Sequence, residues 1–548
     1  MKHIPQINET PESNEERMAW FRHAKYGMFI HWGPCSVGEK EIGWGRGGNR
    51  PWDIDQHGPR TSDPVYDNYY KSFNPEKFDA DQWVRFAKKS GMKYMVLITK
   101  HHDGFSMFDT TLSDYSIMAS PFGRDIVKEF IDACHTHEMK VGLYYSTRDW
   151  YHPDYLVNDN TSYDQWYMGQ VEELLTSYGP IDLMWFDHVG GRDWGKWKFD
   201  QLFSKMYQHQ PHLLVNDRAA KFCGPKTDSD KEPATPDLKK MAAGDYYTPE
   251  GKIGAMDIER DWESCIHVGK GWSYRGEDGF KDPEACIKML VSCTTGGGNL
   301  LLNFGPRPDG TFAEGEVRVA EATGQWLEKY GAAIYGTRGG PYSNGLWGGS
   351  CFRDNKLYLH VYNWQDNEIS LDPLPVKVLS CQTLEGKPVE LVQNDTELTI
   401  RVSPSHQDHP VTVVECTLDG NLKPGILLGA LRMEEGQQAE YGEVLAEESD
   451  SNVSEIRTKR LKTIKAVQIT MQKENFPADG LVLHVHDHPT GAHKTWETKT
   501  WQEEWMIPVT HFHAGIDVLG RQSRRITLST GQNKETPIHL SSIKVFGS

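Results

Sequence analysis

Ile181-Asp182-Leu183-Met184-Trp185-Phe186-Asp187 is the stretch on which the reading of the fold turns. It follows a helical pattern and the pair Gly179-Pro180, and most of its residues are apolar. A short apolar run bounded by turn signals predicts a strand buried on both faces, as in a parallel sheet. The run stops at Asp187, with Trp185 two residues earlier on the same face. In an α/β barrel the C-terminal ends of the strands build the active site, so a carboxylate there is a catalytic candidate. The competing reading is an Asp that only caps the next loop or helix.

The same grammar extends to either side. Residues 27–33 read as a strand ending in His31 and Trp32, and residues 94–99 as one running into Lys100-His101-His102-Asp103-Gly104. Further strands are expected at 141–146, 213–218 and 299–305. Helical patterns at 79–91, 125–139, 164–178, 197–209, 282–294 and 314–330 alternate with them. Counting gives about eight strands, which predicts a (β/α)₈-like, TIM-type barrel over residues 1–338. After Tyr335 the pattern alternates with period two, predicting a β-sandwich over 339–425. A polar, acidic stretch then leads to a further β-rich domain over 433–548, either carbohydrate-binding or structural.

Composition narrows the function. A chain of 548 residues is too long for one core. A net charge of −18 argues against nucleic acid or an anionic membrane as partner, since both need a basic patch. No run of about 18 apolar residues is present to span a bilayer. No apolar leader is visible at the N-terminus, so a cytoplasmic location is expected, or a secreted or periplasmic one if a leader has been removed. The nine cysteines are odd in number and lack a C-x-x-C, which disfavours zinc and redox motifs and fits a reducing compartment.

Gathered at one barrel mouth, the strand ends would bring together His31, His101, His102, Tyr144, Trp185, Asp187 and Arg218. Several hydrogen-bond donors beside aromatic faces suit a polyhydroxylated ring with one apolar side. Metal binding by His31, His101, His102 and Asp187 is the rival. Adjacent histidines on a continuing strand point to opposite faces, and no H-x-H or H-E-x-x-H is present. Glycoside hydrolysis needs a second carboxyl group. Glu263, between Trp262 and a short apolar run, is the first candidate, because an aromatic wall would raise its pKa. Glu250 and Glu259 are the alternatives.

Nine motifs then occur in one order: K-Y-G-M-F-I-H-W-G, K-H-H-D-G-F, G-R-D-I-V, V-G-L-Y-Y-S-T-R-D-W, M-W-F-D, V-N-D-R, D-Y-Y-T-P-E, W-E-S-C and G-G-G-N-L-L-L-N-F-G-P-R-P-D-G. Together, over roughly residues 15 to 340, they resemble the α-L-fucosidases of glycoside hydrolase family 29. The resemblance implies a (β/α)₈-like domain followed by a β-sandwich, and retaining, exo-acting hydrolysis of terminal α-L-fucosides without a cofactor. It implies Asp187 as nucleophile and Glu263 as acid/base. His31, His101, His102, Tyr144, Trp185 and Arg218 are implied as fucose contacts. The implied partner is a fucosylated oligosaccharide or glycoconjugate, and a homo-oligomer stays open.

Three departures lie near the expected mouth. Gly43-Trp44 stands where the family shows Glu-Trp, leaving Trp44 as a sugar contact with Glu41 as a stand-in for the missing carboxylate. His188 replaces a common Gly, and Trp272-Ser273-Tyr274 replaces W-G-Y. The alternatives to a fucosidase are an inactive carbohydrate-binding barrel, a glycosidase for a related sugar such as an α-L-galactoside, and a metal-dependent hydrolase.

Overall fold

The computed structural model describes residues 10–46, 63–155, 160–187, 198–219, 244–254, 256–258, 260–345, 347–364, 366–423 and 428, and beyond these most of the strand segments between 443 and 547. They group into two compact units. One is drawn from Met1–Thr248, Cys265–Cys286 and Leu300–Lys329, the other from Pro249–Ser264, Ile287–Asn299 and Tyr330–Ser548.

A parallel sheet organises the first part of the chain. Its strands are β1 (Tyr26–Ile30), β2 (Tyr94–Lys100), β3 (Lys140–Ser146), β4 (Leu183–Asp187), β5 (Leu214–Val215), β6 (Glu263–His267) and β7 (Asn299–Phe304), in the order β5-β4-β3-β2-β1-β7-β6. Where about eight strands in a closed barrel were expected, seven pair among the described residues, and β5 and β6 are the two edges. β1, β2 and β7 are buried at every position, which is why they read as unbroken apolar runs.

Helices alternate with the strands for local reasons. In α2 (Ala80–Lys89) the N-cap Asp79 accepts from Gln82 N, and Ala80, Trp83, Val84 and Ala87 form the buried stripe. In α3 (Ile126–Thr136) Asp125 caps Lys128 N and Ile126, Phe130 and Cys134 face inward. Ahead of these, α1 (Pro11–Ala24) has a Thr10–Ser13 capping box and buries Met18 and Phe21. Its charged sequence hides it from a periodicity reading, and tertiary packing holds it: Met18, Phe21 and Ala24 join Phe29, Tyr94, Val96, Tyr144 and Trp185 in one core.

The second unit carries antiparallel sheets. One has five strands, β8 (Arg338–Gly339), β9 (Gly348–Arg353), β10 (Lys356–Val361), β12 (Val378–Thr383) and β15 (Thr412–Leu418), in the order β12-β15-β10-β9-β8. Another has β11 (Glu368–Leu371), β13 (Glu390–Gln393) and β14 (Leu398–Arg401), in the order β11-β14-β13. Their inward residues, among them Leu357, Leu359, Ile369, Leu398, Ile400 and Val414, make a shared apolar core. Strands between Glu443 and Gly547 form two further antiparallel sheets of four and five strands. Among the described residues no helix is long and apolar enough to cross a membrane.

Candidate active site

Parallel register aligns the strand ends. Tyr144 pairs with Trp185 and Ser146 with Asp187, so β3 and β4 finish level. Asn216 fixes the next step: its side-chain amide donates to Phe186 O at 2.8 Å and accepts from Phe186 N at 2.9 Å, pinning the residue before Asp187. Asp187 is thus presented at the rim, 15 % exposed, with both oxygens engaged. Oδ2 accepts from the Tyr144 hydroxyl at 2.8 Å and Oδ1 from Arg218 Nη1 at 3.1 Å. Arg218 is itself locked by Thr248, whose Oγ1 accepts from Nε at 2.8 Å and whose carbonyl accepts from Nη2 at 3.1 Å. Its guanidinium lies 4.6 Å over the Trp185 ring.

Three histidines converge on the same rim. His31 Nδ1 lies 2.6 Å from Asn303 Oδ1, and Asn303 Nδ2 donates to the Trp272 carbonyl at 2.7 Å. A carbonyl only accepts, so the Asn303 amide is oriented, and His31 must carry its proton on Nδ1. Nε2 is then left as an acceptor. Burial pushes the His31 pKa down to about 3, despite the Asn303 hydrogen bond and the Asp187 charge. Burial, reinforced by His31, lowers His101 well below the usual histidine range. Both rings are therefore neutral near pH 7. His31 ring ¹⁵N shifts should stay at neutral-tautomer values, with Nδ1 protonated, from pH 5 to 8. A titration in that window, read by long-range ¹H–¹⁵N correlation, would contradict the assignment.

Strand β2 stops at Lys100, so His101 and His102 do not point to opposite faces as a continuing strand would require. Their rings lie side by side, 4.1 Å between centroids. His102 Nδ1 meets Ser146 Oγ at 2.6 Å, and its Nε2 lies 3.7 Å from Asp187 Oδ2. His101 stacks on Tyr144, and its Nδ1 is a buried polar atom with no hydrogen-bond partner among the described residues. Such an atom is costly unless a ligand hydroxyl satisfies it. His101, His102 and Asp187 could bring ligand atoms within 4.8 Å of one another. The Arg218 guanidinium on Asp187 places a fixed positive charge there, which opposes a cation and favours a neutral, hydroxyl-rich ligand.

The aromatic side is built from Phe29, Trp185 and Trp272. Phe29 packs on Trp185 at 5.1 Å, Tyr144 stacks on Trp185 at 5.6 Å, and Trp272 lies 4.8 Å from His31. Trp185 is fully buried beneath its neighbours, whereas Trp44 is 42 % exposed and edges onto His102 and Trp150. Two other strand-end aromatics turn away from the rim. Trp32 joins Phe73, Phe78 and Trp83, and the Tyr145 hydroxyl donates to Gln170.

Gly43 explains one departure from the family pattern. Its φ is +65°, and a Cβ there would come within 2.7 Å of His101 Nδ1, so a glutamate at this position would displace that ring. Glu41 does not substitute for it at the rim. Its Oε1 accepts from Trp272 N at 3.0 Å and Ser273 N at 3.1 Å, and Gly271 leaves room for it, since a Cβ there would lie 1.9 Å from Oε2. Burial raises the Glu41 pKa, and these N–H groups oppose the shift. Glu41 therefore holds the loop that carries Trp272. Glu41→Ala should lower kcat/KM about 10- to 100-fold, with Glu41→Gln keeping more activity because it retains an acceptor oxygen. Wild-type kinetics for Glu41→Ala would show that the clamp does not matter.

Glu263 is not at this rim. It opens β6, is fully buried, and lies four residues from His267, about 13 Å along the strand. Trp262 O accepts from Asn299 N at the start of β7, and Val268 N donates to Asn303 O at its far end. Glu263 is thus at the N-terminal end of its strand, and His267, 5.5 Å from Trp272, is the residue at the rim end. A proton donor has to come within hydrogen-bond reach of the departing oxygen, which this position does not allow. Glu250 is exposed and follows Thr248 by two residues. Glu259 and His188 lie outside the described residues. Asn303, Trp272, Ser146 and His267 were not among the sequence candidates. Only the W-S-Y departure and the N-F end of β7 hinted at two of them.

The family described as Alpha-L-fucosidase matches residues 2–332. Human plasma alpha-L-fucosidase is 31 % identical over 363 residues, covering 60 % of this chain and 72 % of that protein. The structure of alpha-L-fucosidase isoenzyme 1 from Paenibacillus thiaminolyticus is 32 % identical, with a TM-score of 0.63, and covers 74 % of this chain and 99 % of that one. A Bacteroides thetaiotaomicron family 29 enzyme, caught as a covalent intermediate in complex with 2-fluoro-fucosyl fluoride, is 25 % identical with a TM-score of 0.63, covering 74 % of this chain and 96 % of that one. The chain belongs to the α-L-fucosidase family, glycoside hydrolase family 29.

Proposed function

We propose that this protein is an exo-acting α-L-fucosidase that releases terminal α-L-fucose from oligosaccharides or glycoconjugates with retention of configuration. The observation that carries the reading is Asp187 at its strand end, both carboxylate oxygens oriented by Tyr144 and Arg218 beside two neutral histidines. An oriented carboxylate attacks the anomeric carbon, forming a fucosyl ester as the glycosidic oxygen departs. A second carboxyl group, for which Glu250 and Glu259 are the remaining sequence candidates, protonates that oxygen and then takes a proton from the water that cleaves the ester. His31 Nε2 and His101 Nδ1 accept hydrogen bonds from sugar hydroxyls. The covalent intermediate trapped in the Bacteroides relative supports the two-step route.

Turnover of an aryl α-L-fucoside, followed by NMR, tests the proposal. α-Fucose should appear first and mutarotate later, and EDTA should leave the rate unchanged. β-Fucose first would overturn retention, and no turnover would favour a carbohydrate-binding barrel. Trp272, half-buried beside His31 and backed by Phe29, suits the methyl group of a 6-deoxy sugar. A CH₂OH in its place would go unpaired, at about 1–3 kcal/mol. The enzyme should prefer α-L-fucosides over α-L-galactosides by roughly ten- to a hundredfold in kcat/KM. Equal values would mean that the pocket is not built around the methyl.

A further inference from the structure

Cys381 and Cys416 stand directly opposite each other on the antiparallel strands β12 and β15, with their Sγ atoms 2.7 Å apart. A disulfide bond is about 2.0 Å long, so the sulfurs are within roughly 0.7 Å of bonding distance. Both are free thiols in this structure. β12 is an edge strand, where Cys381 is half-buried, while Cys416 is buried on the neighbouring strand. Small reagents therefore reach the pair through Cys381.

We infer that Cys381 and Cys416 form a cross-strand disulfide when the protein meets a low-molecular-weight disulfide such as oxidised glutathione. The Cys381 thiolate attacks one glutathione sulfur and expels the other as a thiolate, leaving a mixed disulfide. Cys416 then attacks Cys381 Sγ and expels the second glutathione. Two protein thiols are oxidised, one glutathione disulfide is reduced to two thiols, and the two protein protons end on the departing thiolates. The bond would close a loop that carries β13 and β14, two of the three strands of the smaller sheet. The closure constrains the unfolded chain, so the oxidised form should be the more stable.

The full chain, incubated with excess oxidised glutathione, should lose the mass of two hydrogens. A non-reducing peptide map should join the Cys381 and Cys416 peptides. The oxidised protein should melt about 5 °C above the reduced one. Cys381→Ser, a change at the half-exposed member, should fold normally and lose the mass change, the joined peptide and the Tm difference together. A stable mixed disulfide at Cys381 as sole product would overturn the inference. So would an unreacted pair, or a joined peptide from other cysteines.

Discussion

Asp187→Gly is expected to lower hydrolysis of an aryl α-L-fucoside on the order of 10⁴-fold or more, because no other group can form the fucosyl ester. The loss should be in kcat, since the sugar contacts of His31, His101 and Arg218 remain. Glycine vacates the space beneath the anomeric carbon that Tyr144 and Arg218 now frame. Azide should enter it and attack an activated fucoside from the nucleophile's own face. One inversion gives the β-fucosyl azide. An α-azide from this variant, or activity near wild type, would show that Asp187 is not the nucleophile.

The second large effect concerns the acid/base. The alanine variant of the acid/base, Glu250→Ala or Glu259→Ala, should lose about 10²- to 10⁴-fold on substrates with poor leaving groups. It should lose far less on aryl fucosides with good ones, whose departure needs little proton donation. The ester still forms on Asp187, so azide should intercept it and give the α-fucosyl azide by double inversion. Glu263→Gln, which keeps shape at a fully buried position, should hold kcat/KM within severalfold on both substrate types and give no azide product. If Glu263→Gln showed the leaving-group dependence and neither Glu250→Ala nor Glu259→Ala did, Glu263 would be the acid/base.

The strand ends were legible because each one combines an apolar run with an abrupt polar stop, which marks both a parallel strand and the residue that it presents. Asp187, His31 and Arg218 could be named on that basis. Glu263 misled for a related reason. A carboxylate before an apolar run opens a strand, whereas one after it closes a strand, and only the closing end reaches the rim. His101 and His102 depended on where β2 stopped, which sequence periodicity locates poorly. Trp272 and Asn303 were out of reach because their partners are remote: Glu41 lies 231 positions from Trp272 and His31 lies 272 from Asn303. The cysteine pair, 35 positions apart on two strands, likewise has no local signature.

Trp272 is gripped on both sides of its backbone. Glu41 takes its N–H, and Asn303, which also sets the His31 tautomer, donates to its carbonyl. Loop, histidine and strand are therefore coupled as one part. A graft that moves residues 271–274 into a relative should work only when Glu41 and Asn303 travel with them. Chimeras made by exchanging that loop alone should fold yet bind fucose poorly. The natural unit for recombination at this mouth is thus a set of three distant segments rather than a continuous stretch of sequence.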